Sequence, residues 1–296
     1  MKATLREVIR NISAEHLKNG NQLFGQCLSA VGWVGGTVPE LTEADGLVEL
    51  PMADVMAGGV ITGAALIGTK PIYVVRYQGF QWFNASIIAN YAAKSKEIWG
   101  VPCPIFIRSI AMEGGIGPVA GSSHHGLVNR MPGINIASPM TPEEYVAVYK
   151  NFMDSDDPMY VSEHRKSYLN TEELYDVRID KPDFVLFPFS ITRFEADKLA
   201  KNGKLKISVF HQLWIKPLKI SNEAVENLKN SKYGGLVLDD DYPNGIAKQV
   251  AYELMLASGK PVRVLAIEEK TAGFDPSKDN LPPSSDKIYS FLLKLI

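Results

Sequence analysis

The sequence predicts an α/β protein: a mainly parallel-sheet domain followed by a smaller α/β domain. Three observations lead there. Segments with apolar residues at helical spacing alternate with short β-branched or aromatic runs along most of the 296 residues. The alternation pauses over the polar, turn-rich stretch Asn170 to Pro182 and then restarts. The length, at roughly 100–200 residues per domain, suits two domains with a core each. The expected division is 1–169, a linker at 170–182, and 183–296.

Taken in order, Leu5, Val8, Ile9 and Ile12 mark one face of a helix running to Leu17, and Gln22 to Cys27 is a short strand. The glycines between Val31 and Thr37 indicate a loop, because glycine permits backbone conformations that other residues avoid. Ala53 to Gly68 is helical but packed with Gly58, Gly59, Gly63, Ala64 and Ala65, which lets a neighbour approach closely. Pro71 to Arg76 is a buried strand. Phe80 to Lys94 places Phe80, Phe83, Ile87, Ile88 and Tyr91 on one helical face. Strands follow at Pro104 to Arg108 and Ile134 to Ala137. Thr141-Pro142-Glu143-Glu144 then opens a helix through Phe152 as a capping box with proline at its first position. Met159 to Ser162 closes this half. The second half predicts strands at Phe184 to Phe189, Leu205 to Phe210, Leu236 to Leu238 and Val262 to Ile267. Helices at Thr192 to Lys201, Asn222 to Leu228 and Ile246 to Ala257 separate them, and the first of these ends at Asn202-Gly203.

Composition narrows the function. With 46% apolar and 22% charged residues and a formal net charge of -2, the chain is globular and provides no basic stripe for a phosphate backbone, so no nucleic acid is expected. No apolar stretch is long enough to span a bilayer, so no membrane is expected either. The N-terminal stretch has no leader pattern. Cys27 and Cys103 lack the spacing of a metal or redox motif, which points to a reducing, cytoplasmic setting.

Among candidate chemical residues, His124-His125 stands out at the end of a Gly/Ser loop that follows a strand, where α/β proteins build their sites and where imidazole suits proton transfer. The plain alternative is a pair of solvated loop histidines, which is the expectation for His16, His164 and His211. Asp54 opens the small-residue helix. It is either an acid favoured by the helix dipole or a buried carboxylate that shares a proton with a ligand nitrogen. Gly58-Gly59 and Gly114-Gly115-Ile116-Gly117 lack a nucleotide fingerprint. Asp239-Asp240-Asp241 after a strand is a possible metal set, with solvated loop acids as the favoured expectation. Ser122 and Ser123 lack the elbow of a hydrolase nucleophile.

The order of these pieces resembles the β subunits of the decarboxylase component of 2-oxo acid dehydrogenase complexes (pyruvate dehydrogenase β-like). These are transketolase-like thiamine diphosphate enzymes with a pyrimidine-binding domain and a transketolase-type C-terminal domain. The resemblance runs nearly end to end. It is most specific over ELPMADVMAGGVITGAALIGTKPIYVVRYQGFQWFNASIIANYAAK, with TLREVIRN, FGQCL to GGT, His124-His125 before Met131-Pro132-Gly133, Glu163-His164-Arg165 and GLVLDDDYPNGIAKQVAYEL in register around it. The resemblance implies thiamine diphosphate as cofactor. Asp54 falls where the family carries the glutamate that binds the pyrimidine, and Gln26 where relatives commonly carry an acid. Phe80 matches the ring-stacking aromatic and His124 or His125 the active-site histidine; Arg76 and Arg130 are weaker candidates for a substrate anion. The family's Gly-Asp-Gly…Asn motif, which holds magnesium and the cofactor's phosphates, does not occur in this sequence. The resemblance therefore implies an α-type partner supplying that half, self-association of the present chain, and a 2-oxo acid or ketose substrate. A split transketolase subunit and a catalytically silent subunit are the alternatives.

Overall fold

The structure is a computed structural model that describes residues 2–30, 32–113 and 121–296, apart from the side chains at 83, 85 and 276. Val31, the Gly114–Gly117 run and the Phe83 side chain thus lie outside the described residues. Helix α1 (Leu5–Lys18) starts where predicted because Thr4 and Glu7 close a reciprocal capping box. It leads into β1 (Leu23–Gln26), the short α2 (Gly32–Gly36), β2 (Leu47–Leu50), α3 (Asp54–Leu66) and β3 (Ile72–Val75). Next come α4 (Gln81–Ile87), α5 (Ser95–Trp99), β4 (Phe106–Ala111), α6 (His125–Asn129), β5 (Asn135–Ala137), α7 (Pro142–Met153) and β6 (Met159–His164). The second half holds β7 (Phe184–Pro188), α8 (Thr192–Lys201), β8 (Ile207–Val209), β9 (Trp214–Lys216), α9 (Asn222–Lys229), β10 (Gly235–Leu238), α10 (Ile246–Ser258), β11 (Val262–Leu265) and α11 (Ser285–Leu293).

Among the described residues the strands form two sheets. One has the order β2-β1-β3-β4-β6-β5-β9 and the other β11-β10-β7-β8. Every pairing is parallel except β5 with β9, which is antiparallel. Strand β9 comes from the second half of the chain and adds to the edge of the first sheet, so the two halves share a strand layer rather than only a linker. Three apolar layers result. Leu5, Ile9, Val148 and Phe152 pack α1 and α7 on one face of the first sheet. Tyr73, Ile107 and Tyr160 on its other face join Ala57 and Ile61 of α3, and this layer continues into Val185, Phe187 and Val250 of the second unit. Phe184, Leu199, Val209 and Ile288 close the far side.

Several local expectations change. The glycine segment at 32–36 is not an irregular loop but a left-handed helical turn, with φ of 55° at Trp33, 53° at Val34 and 63° at Gly35. Non-glycine residues lose about 1–2 kcal/mol each in that conformation. The turn is held by the Val34 amide bonding Leu28 O (3.1 Å), the Val38 amide bonding Trp33 O (3.0 Å), and the buried Val34 side chain. The predicted helix Phe80 to Lys94 is instead the end of a 3-10 turn (Gln78–Phe80), α4 and a π-helical turn at Ile88–Ala92, with α5 following it, and Tyr91 is left exposed. The strand predicted from Pro104 begins at Phe106 and runs on to Ala111, because its ladder is set by β6. Thr141 caps α7, but Glu144 does not complete the box. Its carboxylate accepts from the Met140 amide and pairs with the buried Arg193 of α8. The small residues of α3 act as predicted at Gly58, where a Cβ would stand 3.1 Å from that of Asn84 on α4.

Candidate active site at the strand ends

In parallel α/β sheets, ligands bind beyond the carboxyl ends of the strands where the strand order reverses. Here the chain goes from β1 outward to β2 and returns to β3 on the other side of β1, so the crevice lies between β1 and β3. A cavity of about 150 Å³ occupies it, bordered by Gln26 and Cys27 after β1, Asp54 at the start of α3, Tyr73 of β3, and Arg76 and Phe80 after β3. The local sequence explains the shape. Gly25 pairs with Val74, and a Cβ on it would meet Leu28 Cδ2 at 2.5 Å. The turn after β1 is clasped by Glu49, whose carboxylate accepts from the amides of Leu28 (2.7 Å) and Ser29 (3.2 Å).

The cavity walls combine one acid, one ring and spare hydrogen-bonding capacity. Asp54 is half-buried in the first turn of α3, where the helix dipole favours its carboxylate. Tyr73 donates nothing to it; its hydroxyl accepts from Asn84 Nδ2 at 2.7 Å, and Asn84 Oδ1 accepts from Gln81 Nε2 at 2.7 Å. Burial and then the charge of Asp54 push the Tyr73 phenol well above its ordinary range. Gln26 Nε2 is buried and has no acceptor among the described residues, so a donor is left over at the cavity wall. Phe80 lies against Tyr77, with ring centroids 5.7 Å apart. Arg76 sits over the Tyr77 ring at 5.3 Å and borders a second cavity of about 250 Å³, walled also by the left-handed turn at Val34 and Gly35, by Arg165 after β6, and by Tyr168.

The two histidines part company. His124 is half-buried, with its ring between Trp82 (6.3 Å) and Tyr242 (6.1 Å). Burial and then its neighbour His125 push its imidazole down to about 4, so it is uncharged at neutral pH, and Nε2 has no partner among the described residues. Its backbone amide donates to Gln78 Oε1 at 2.6 Å. His125 is fully buried and turned the other way. Its Nε2 lies 3.1 Å and 3.2 Å from the two carboxylate oxygens of Asp239, and its Nδ1 lies 3.2 Å from Ser162 Oγ. Burial opposes its charge, but the carboxylate of Asp239 outweighs it and raises the imidazole to about 9. Burial, and then Asp239, raise the Asp240 carboxyl to about 7.

Of the residues singled out from sequence, Asp54, Phe80 and Arg76 therefore share one cavity. His124 and His125 follow a neighbouring strand of the same sheet but are not walls of that cavity, and Arg130 is exposed at the C-terminal end of α6. The expectation of solvated acids at Asp239 to Asp241 is overturned, since all three are buried, and so is that of solvated side chains at His16 and His164. Burial pushes the imidazole of His16 down to about 4 and those of His164 and His211 down to about 3. Sequence reasoning missed Gln78. It is fully buried and joins the segment bearing Phe80 to the His124 loop and to β6 through Ser162 Oγ at 2.8 Å.

The chain is similar to several known proteins. A family model described as the transketolase, pyrimidine binding domain matches residues 2–170. The pyruvate dehydrogenase E1 component subunit beta of Bacillus subtilis (strain 168) is 24% identical over 323 residues, covering 99% of this chain and 98% of the relative. The subunit of the same name from Staphylococcus epidermidis (strain ATCC 12228 / FDA PCI 1200) is 23% identical over 322 residues, covering 96% of each. The 2-oxoisovalerate dehydrogenase subunit beta of Bacillus subtilis (strain 168) is 27% identical over 190 residues, covering 58% of this chain and 54% of that one. A solved split gene transketolase, described as an inactive β4 tetramer, shares the fold with a TM-score of 0.70 at 15% identity, over 100% of this chain and 98% of that one. With its strand-end crevice between β1 and β3 and a family match over more than half its length, the chain belongs to the transketolase pyrimidine-binding domain family.

Proposed function

We propose that this chain is the β-type subunit of a two-component, thiamine diphosphate-dependent enzyme that acts on a carbon-carbon bond next to a carbonyl, of the 2-oxo acid dehydrogenase kind, working in the cytoplasm. The observation that carries the reading is the meeting of Asp54, Phe80 and the unpartnered Gln26 Nε2 at one cavity between β1 and β3. A carboxylate, an aromatic face and a spare amide donor suit an aminopyrimidine ring, so the residues fit that end of the cofactor. Asp54 would hold a ring nitrogen, Phe80 would stack on the ring, and Gln26 would donate to it. When bound, thiamine diphosphate supplies the carbon nucleophile and electron sink that such a reaction needs.

The remaining roles belong to this chain's own side chains. The uncharged ring of His124, whose Nε2 has no partner among the described residues, would offer a hydrogen bond to charge on a substrate at the sheet edge. His125, held by Asp239 and Ser162, acts as a positioning residue for the loop that bears His124. Arg76 and, with less support from the geometry, Arg130 would attract a substrate carboxylate. Magnesium and the diphosphate would be held mainly by an α-type partner, and a second copy of this chain would complete the assembly. A transketolase-type reaction draws support from one further feature: Arg76 and Arg165 border the adjoining cavity, which suits a ketose phosphate as well as a 2-oxo acid.

The test is calorimetric titration of thiamine diphosphate with magnesium into the chain alone and into the complex with its α-type partner. Binding is expected only in the complex, with a loss of at least about tenfold for Asp54→Ala and retention for Asp54→Glu. Absence of binding by a stably assembled pair would instead identify a catalytically silent subunit. Turnover of a 2-oxo acid against a ketose phosphate separates the two reactions.

A further inference from the structure

We infer that His125, Asp239 and Asp240 form a divalent-cation site, for an ion of the zinc or manganese type, that ties the loop after β4 to the end of β10. This goes beyond the proposed catalytic reading and does not depend on it. Each of the three residues offers a ligand atom, and these atoms lie within 4.8 Å of one another. Metal–ligand bonds of about 2.0–2.2 Å put the ligands of one ion about 3.0–4.4 Å apart, so a single ion spans the set with small adjustments.

Charge balance here calls for a cation or for bound protons, and the orientation of the ligand atoms favours the cation. Asp239 and Asp240 are wholly buried, Asp241 is 4% exposed, and His125 is wholly buried. Among the described residues, the ion pairs of these three carboxylates run to His125 alone, with no lysine or arginine among them. Three carboxylates against one imidazole would leave negative charge buried away from bulk solvent, which is unfavourable unless a cation or bound protons offset it.

The surroundings are built to orient ligands, which supports an ion over a chance gathering of acids. His125 presents Nε2 to the carboxylates while its Nδ1 meets Ser162 Oγ at 3.2 Å, the outer hydrogen bond that fixes a ligating histidine. Asp239 Oδ1 accepts from the amides of Asp240 (2.9 Å) and Asp241 (3.3 Å). Asp240 Oδ2 accepts from the hydroxyls of Ser123 (2.7 Å) and Ser190 (3.1 Å). Asp241 accepts from the Gly126 amide at 2.7 Å, outside the ligand set. One atom is left over: Asp240 Oδ1 is fully buried and has no hydrogen-bond partner among the described residues. A buried carboxylate oxygen without a donor is the atom that a metal ion would bind. Mixed imidazole and carboxylate donors favour zinc or manganese over calcium and magnesium, which take oxygen ligands. The ion would cross-brace the two sheets, since His125 belongs to the first half of the chain and Asp239 and Asp240 follow β10 of the second.

The experiment uses the full chain, freed of any affinity tag, stripped with a chelator, offered one equivalent of ZnCl2 or MnCl2, and passed through a desalting column. Elemental analysis is expected to find about one ion per chain, and thermal unfolding to shift upward on loading. Asp240→Asn keeps the side chain's shape and its acceptor for Ser123 and Ser190 but removes the anionic ligand, so it is expected to retain less than about a tenth of an ion. Equal metal retention by wild type and Asp240→Asn, or none by wild type, would overturn the site. Should Asp240→Asn fail to fold, loading wild type with Co2+ decides the matter. A spectrum of nitrogen and oxygen ligation supports the site, and that of the free aqua ion refutes it.

Discussion

Replacing Gln78 by leucine tests whether one buried amide organises the site. The side chain is fully buried, and leucine is close to it in volume, so the change removes hydrogen bonds with little loss of packing. Gln78 Nε2 donates to Ser109 O (3.2 Å), Ser162 Oγ (2.8 Å) and Glu163 O (3.4 Å), while Oε1 accepts from the His124 amide (2.6 Å) and the Tyr160 hydroxyl (3.2 Å). The Ser162 hydroxyl keeps His125 as a neighbour, but the His124 amide loses the acceptor it has here. A stranded buried donor costs about 1–3 kcal/mol and each further lost bond about 0.5–1.5 kcal/mol, so Gln78→Leu is expected to lose roughly 2–4 kcal/mol. Urea unfolding followed by circular dichroism reads the loss. Amide hydrogen exchange over 121–130 reads its location, with protection of the His124 amide reduced in the variant. If stability falls by less than about 0.5 kcal/mol and exchange in that segment is unchanged, the amide is not the anchor argued here.

Two other perturbations follow from buried groups. Arg108 donates through Nε and a terminal nitrogen to the two oxygens of Glu163 (2.8 and 3.1 Å), which also accept from the Tyr145 and Tyr168 hydroxyls (2.6 Å each), and the same guanidinium reaches Thr37 beside the left-handed turn. Arg108→Met leaves the carboxylate buried without its cation and is expected to cost about 3–5 kcal/mol in urea unfolding. Adding Glu163→Gln should recover part of that loss, and a double variant no better than the single one would contradict the account. His16 is buried against the Tyr149 hydroxyl (2.9 Å), and burial lowers its imidazole to about 4. The unfolded chain therefore takes up a proton below about 6.5 that the folded chain refuses until about 4, and this group's share of stability drains away as pH falls through that window. The share amounts to about 3 kcal/mol, with a slope of at most about 1.4 kcal/mol per pH unit. His16→Phe should flatten the stability profile between pH 6.5 and 4 by that one proton, and an unchanged slope would place the proton uptake elsewhere.

Local chemistry made much of the molecule legible before any coordinates. The spacing of Leu5, Val8, Ile9 and Ile12 announces α1, Pro142 after Thr141 announces α7, the apolar runs at Ile72–Val75 and Phe184–Pro188 announce central strands, and the order of motifs around Asp54 and Phe80 indicates the family. These signals are short-range, set by backbone sterics, capping and side-chain periodicity, so they survive without knowledge of neighbours. What depended on distant partners was not legible. The sequence places His124 and His125 side by side, yet one ring stands between Trp82 and Tyr242 while the other is buried on Asp239, 114 residues away along the chain. The three aspartates read as loop acids because nothing beside them in sequence supplies the imidazole or the hydroxyls of Ser123 and Ser190. Strand β9 carries too short a pattern to be recognised until β5 offers it an edge, and Gln78 is an unremarked amide until five groups from three segments converge on it. The residue types and the order of elements were determined by the sequence alone. Which polar groups share a buried space was decided only by the tertiary structure, because desolvation and charge pairing depend on what packs around a side chain and not on what precedes it.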